Sequence, residues 1–218
     1  REMIEAAQKA WGDGIVNIAA AHTSGGNYVQ TATDHINTLY AYGLSPVLFK
    51  PTLAAEEQFR STFDEALSYF VASNNACPED KGFAIKGWTA VRFENADIIT
   101  VGRVGMAMGN YFFTTPEGDE AKVEYSFGYM LDEYGNVRII LHHSSMPYAP
   151  SSGRQLSGLR GLSSSFSIPR RAASTTEMTR EMIEAAQKAW GDGIVNIAAA
   201  HTSGGNYVQT ATDHINTL

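Results

Sequence analysis

The sequence predicts an α+β fold in which helices come first and a strongly curved antiparallel sheet then wraps around them as a cone with one open mouth. Three observations predict it. Apolar residues recur at helical spacing from the start of the chain to about Ser73. From Gly82 the period changes to two, and clusters of turn-forming residues then cut that pattern into a meander.

Glu2 to about Ala21 reads as an amphipathic helix, with Ile4, Ala7, Trp11, Ile15 and Ile18 on one stripe; Gly12 and Gly14 weaken it without ending it. The turn Ser24-Gly25-Gly26-Asn27 leads into a second helix, Tyr28 to Tyr40. An extended piece follows at Val47–Thr52, where Pro51 drives Lys50 out of the helical region. Ala54 to Ser73 is predicted helical, with Phe59, Phe63, Ala66, Leu67, Phe70 and Val71 on its apolar face. Four strands are predicted at Phe83–Phe93, Ile98–Phe113, Ala121–Asp132 and Asn136–Ser145, separated by turns at 94–97, 116–119 and 133–136.

The run Arg1 to Leu39 returns, letter for letter, as Arg180 to Leu218. Identity over that length without drift signals a tandem duplication. The chain therefore reads as a complete domain (1–150), a linker (151–179) and the start of an identical second copy (180–218), both ends appearing trimmed from a longer repeat. The linker is rich in Ser, Gly and Arg and holds no acidic residue before Glu177. Its composition is that of a transit peptide, but its place inside the repeat favours a linker.

Composition bounds the function. The chain is 44% hydrophobic and 18% charged, with net charge −7, and that acidic balance argues against a nucleic-acid partner. No apolar run is long enough to span a membrane. The lone Cys77 excludes an intrachain disulfide and a cysteine-cluster metal site. Neither HExxH, paired CxxC nor EF-hand spacing occurs, and His22, His35, His142 and His143 are scattered, so no metal or other cofactor is expected. The glycine-rich Gly102–Asn110 lies within a strand pattern, not between strand and helix; it is read as close packing in a bent sheet, not as a phosphate loop.

The most unusual stretch is Arg138–Pro147, RIILHHSSMP. Alternation along a strand places His143 and Ser145 on one face and His142 and Ser144 on the other, which argues against two histidines sharing a metal. Thr52 beside Pro51, and Tyr69 on a core-facing helix, are the remaining polar candidates; each alone is ordinary, a turn residue and a core aromatic.

Taken together, FKPT (49–52), the pair Tyr69-Phe70, GWTAVRF (87–93) and HHSSMP (142–147) resemble the iota-class carbonic anhydrases of the nuclear transport factor 2-like (SnoaL-like) superfamily. The layout also resembles the association domain of calcium/calmodulin-dependent kinase. The resemblance covers about residues 1–150. It implies a cone-shaped α+β barrel that hydrates CO2 to bicarbonate and can do so without a metal. It implies Thr52, Tyr69, His143 and Ser145 as catalytic residues, with His143 as general base, and Phe70, Ser144 and His142 as substrate-binding neighbours. His143 and Ser145 are preferred as the pocket-facing pair because the kinase domain carries its pocket arginine at the place of His143. It further implies a homodimer through the sheet, tandem copies in the parent chain and, from the tandem algal members, a plastid location. Two other readings stay open: a non-catalytic oligomerisation hub, and a SnoaL-like isomerase or cyclase, for which Glu124 is the one candidate base.

Overall fold

The computed structural model describes residues 1–149 and 177–218. The chain divides into two compact units, Arg1–Gln155 and Leu156–Leu218. The predicted linker lies, except for its last three residues, outside the described residues.

The first unit opens with α1 (Glu2–Thr23) and α2 (Tyr28–Leu39). Ile4, Gln8, Trp11, Ile15 and Ile18 are all buried on the inner stripe of α1, the three- and four-residue spacing that a helix turns to one side. Its two interior glycines lower helix propensity but serve packing. A Cβ on Gly14 would stand 2.0 Å from the His35 ring, and one on Gly12 would touch Val91. Asn27 caps α2, its side chain accepting from the Gln30 amide. Tyr40 then leaves the helix in extended conformation and bridges to Ile139.

The helix expected from Ala54 to Ser73 is much shorter: α3 spans Phe63–Val71. Residues 54–62 are held otherwise. The Glu79 carboxylate accepts from the amides of Ala55, Glu56 and Glu57, and the Arg60 amide donates to the Phe49 carbonyl. The Arg60 guanidinium is fully buried and pairs with Asp80 at 2.8 Å. These long-range partners outweigh local helix preference until Thr62 and Glu65 form a capping box that restarts the helix.

One five-stranded sheet follows, in the order β1-β5-β4-β3-β2. Its strands are β1 (Leu48–Lys50), β2 (Ala90–Val101), β3 (Val104–Thr114), β4 (Glu120–Leu131) and β5 (Val137–Ser145). All pairs are antiparallel except β1 with β5, which is parallel. Two predicted strands are redrawn. Phe83–Ile85 is a 3-10 turn, and the cluster 94–97 is a bulge inside β2; the reversal comes instead at Gly102, with φ +58. Just before the bulge Asn95 shares the inward phase of Val91 and Phe93, and there it exchanges amide hydrogen bonds with Gln8, both at 2.8 Å, and accepts from Tyr125.

Gly109 makes that bulge possible, because a Cβ there would lie 2.0 Å from the Glu94 carbonyl oxygen. Backbone cannot yield as a side chain does. Gly109→Ala is expected to destabilise the fold by roughly 1–3 kcal/mol, read as a drop of several degrees in the thermal transition.

A second bulge has the larger consequence. In the β4–β5 ladder Tyr129 pairs with Ile139 but the adjacent Gly128 pairs with Leu141, leaving Ile140 as the extra residue. Ile139 faces inward; past the bulge the inward positions become His142 and Ser144.

The second unit contains α4 (Arg180–Thr202) and α5 (Tyr207–Thr217), the same two helices again. Gly193 packs against His214 as Gly14 does against His35. Trp190 is 58% exposed, whereas its counterpart Trp11 is 1% exposed.

Candidate active site

A continuous cluster of aromatic rings fills the middle of the core. Trp11 from α1 sits at its centre, within ring-to-ring contact of Phe70, Phe93, Tyr111, Phe113, Phe127 and His142. His142 lies between two parallel rings, Phe127 at 4.1 Å and Phe49 at 4.7 Å. Both of its nitrogens face hydroxyls: Tyr40 at 2.8 Å from Nδ1 and Tyr111 at 3.4 Å from Nε2. Burial, reinforced by His143 and His35, holds the imidazole pKa well below the usual histidine value, so the ring is neutral.

Beside this stack stand the hydroxyls. Pro51 ends β1 and sets Thr52 next to the end of β5, where the parallel pairing aligns Lys50 with His143. The Thr52 hydroxyl donates to the Ser144 hydroxyl at 3.0 Å. Ser144 is buried while Thr52 is partly exposed, so the pair forms a step from interior to rim. Tyr69 from α3 packs face to face on Phe83 and edge-on to Phe49. Burial pushes its phenol pKa far up, and Thr52 partly offsets this. Tyr111 is likewise raised by burial, with Ser144 and Thr52 as the offsetting hydrogen-bond partners. Tyr69 and Tyr111 therefore stay protonated and offer neutral hydroxyls. The arrangement can bind a small flat molecule among rings, hold a water on hydroxyls, and donate hydrogen bonds to oxygens that gain negative charge.

Of the residues expected from sequence, Thr52, Tyr69, Phe70, His142 and Ser144 are brought together. His143 and Ser145 are not: both face outward, where they line a hollow with Met108, Asn110, Glu124 and Ser126. The expected facing of the two His–Ser pairs is thus reversed, and the cause is the Ile140 bulge. His143 consequently cannot act as the interior general base. Glu124, the base considered for an isomerase, is also outside, accepting from Ser145 at 3.3 Å. Sequence reasoning missed Tyr40, Tyr111 and Trp11 as members of the cluster. For Tyr111 the signal was present, since it stands at an inward position of β3. Among the described residues no group of three or more His, Cys, Asp or Glu side chains could hold a metal ion.

Helices packed against a single five-stranded sheet, with hydroxyls set among the aromatic rings of the core, define an α+β fold. Comparison with known proteins takes the assignment further. A family model described as metal-independent carbonic anhydrase matches residues 2–146, and the chain belongs to that family. A metal-independent carbonic anhydrase of the cyanobacterium Nostoc is 42% identical over 146 residues, 66% of this chain and 71% of that protein. The solved iota-carbonic anhydrase of a cyanobacterium, complexed with bicarbonate, is 40% identical over 68% of this chain and 93% of that one, at a TM-score of 0.67. A putative calcium/calmodulin-dependent kinase II association domain from Xanthomonas campestris is 22% identical over 61% of this chain and 83% of that one, at a TM-score of 0.40. The expected plastid location is overturned by these findings, since the matched carbonic anhydrases come from cyanobacteria, which have no plastids.

Proposed function

We propose that this carbonic anhydrase hydrates CO2 at the Thr52–Ser144 step, without a metal. The observation that carries the reading is the Thr52–Ser144 hydroxyl pair, set at the rim of an interior walled by Phe49, Phe70 and Tyr69. CO2, small and without net charge, is held by the aromatic wall near Phe70. A water resting on the two hydroxyls attacks its carbon, and the leaving proton passes to solvent at the partly exposed Thr52. Charge that builds on the carbonate oxygens is met by Ser144, Thr52 and Tyr69 as donors, the role of an oxyanion hole. His142 is neutral and hydrogen-bonded on both nitrogens, so it orients the hydroxyls and does not itself take the proton from water. The bicarbonate complex of the cyanobacterial relative supports the choice of ligand.

Stopped-flow CO2 hydration before and after treatment with a strong chelator tests the metal-free reading. Unchanged kcat/KM is expected. Activity that disappears with chelator and returns with zinc or manganese would overturn it.

The same reading includes a homodimer through the sheet. Ile99, Val101, Met106 and Met108 are large apolar residues exposed on β2 and β3, and burying such a patch favours association. Light scattering is expected to give twice the chain mass, and Met108→Lys to shift it toward the monomer.

A further inference from the structure

We propose that the Trp11 indole sets the direction of a hydrogen-bond chain, Trp11–Tyr40–His142–Tyr111, that turns the hydroxyls at its far end into donors for the bicarbonate anion. The proposal rests on the CO2-hydration reading for its functional part, and on geometry for the rest.

An indole N–H can only donate. Trp11 Nε1 is 3.0 Å from the Tyr40 hydroxyl oxygen, so that oxygen accepts. Tyr40 is 1% exposed, and among the described residues its other polar neighbour is His142 Nδ1 at 2.8 Å. If Nδ1 carried a proton, the Tyr40 hydroxyl hydrogen would be buried without an acceptor, which costs on the order of 1–3 kcal/mol. Tyr40 therefore donates to Nδ1. A neutral imidazole carries one proton, which then sits on Nε2 and points at the Tyr111 hydroxyl 3.4 Å away. With its oxygen accepting from His142, Tyr111 keeps its own hydrogen for an acceptor on the side away from the imidazole.

Every hydrogen in the chain thus points from the core toward the rim. Aligned hydrogen bonds polarise one another, each strengthening the next. The opposite polarity would turn the Tyr111 hydrogen back to His142 and present a bare oxygen lone pair to an anion. Three buried groups remote from solvent would in this way tune the hydroxyls at the reacting end. Trp11 and Tyr40 are positioning residues, acting through His142.

The test uses the full chain labelled with 15N-histidine, with His142 assigned by the signal lost in His142→Gln. Long-range 15N–1H correlations distinguish the Nδ1–H from the Nε2–H tautomer. The wild type is expected to show His142 as Nε2–H. Trp11→Phe keeps an aromatic ring but removes the N–H. With no N–H facing it, the Tyr40 hydroxyl can rotate and offer Nδ1 a lone pair, so the Nδ1–H form is expected to appear and kcat/KM to fall about tenfold, beyond any loss of thermal stability. Tyr40→Phe is expected to do the same, and the double variant to be no worse than Tyr40→Phe alone. A purely structural role for Trp11 would lower stability and leave the tautomer unmoved. The proposal fails if wild-type His142 is Nδ1–H, or if neither variant changes both tautomer and kcat/KM. A wild type with the Nε2–H tautomer and the expected tautomer shifts, but no CO2 hydration, would instead sink the functional reading and leave the direction of the chain standing.

Discussion

Ser144→Ala is expected to lower kcat/KM for CO2 hydration by about a hundredfold or more, the usual scale for losing one donor to a developing oxyanion. Thr52→Ala should fall in the same range, because the two hydroxyls are bonded to each other at 3.0 Å and act on the same oxygens. The double variant is then expected to lose little beyond either single one, since residues that work as a unit are strongly non-additive. Ser145→Ala provides the contrast. It removes a hydroxyl one residue away that faces the outer hollow and bonds Glu124, and its activity is expected to stay near wild type. Stopped-flow kinetics on the four variants checks all of this. Equal loss in Ser144→Ala and Ser145→Ala would place the chemistry outside the cone and sink the assignment of the site.

Much of the fold is legible in the residues, and the failures are local. The inner stripe of α1 follows from spacing alone, as does the alternation of Val123, Tyr125, Phe127 and Tyr129 along β4. What cannot be read locally is a bulge. A single unpaired residue, Ile140, inverts the facing of everything after it, because the strand period is two and a slip of one exchanges the faces. Two adjacent His–Ser pairs make the ambiguity complete, since either facing leaves one His and one Ser inside. The shortened α3 fails for a different reason: Glu79 and Asp80 lie well downstream of the segment they hold, and long-range pairing overrides local propensity. The repeat makes the same point from the other side. Trp11 and Trp190 occupy identical sequences in matching helices, yet one is the centre of a core and the other is largely exposed. Helix formation is local; burial depends on what the chain supplies to pack against.

Acidification is expected to destabilise the first unit well before Asp132 titrates, and the cause is two neutral histidines in its core. Burial lowers the pKa of His35 from 6.5 to about 4 and moves His142 in the same direction. The sign follows from linkage. Above pH 6.5 both states of each histidine are neutral and contribute nothing to the slope. Below it, the unfolded chain binds protons that the folded core refuses, so stability falls as pH falls. For His35 the loss accumulates from pH 6.5 down to about 4 and levels off below; a shift of that size corresponds to roughly 3 kcal/mol. His142 adds a second loss that continues to lower pH, because its pKa is displaced further. Asp132 acts in a separate window. Held by Arg138 and the 133–136 turn at a pKa of about 2, it stabilises the fold until the pH drops below the ordinary carboxylate range. A thermal transition followed between pH 7 and 4 should therefore fall by on the order of 10 °C or more. Two features of His35 sharpen the expectation: its Nε2 is buried without a partner, and its ring is wedged against Gly14. Neither a new hydrogen bond nor a shift of the ring is at hand to accommodate a proton in place. His35→Gln removes one of the two titrations, so its transition should start lower at pH 7 yet decline about half as steeply toward pH 4. A wild-type transition that is flat across this range would show that both rings accept protons inside the folded core. Neutral His142, on which the direction of the hydroxyl chain depends, would then be confined to pH above the ordinary histidine range.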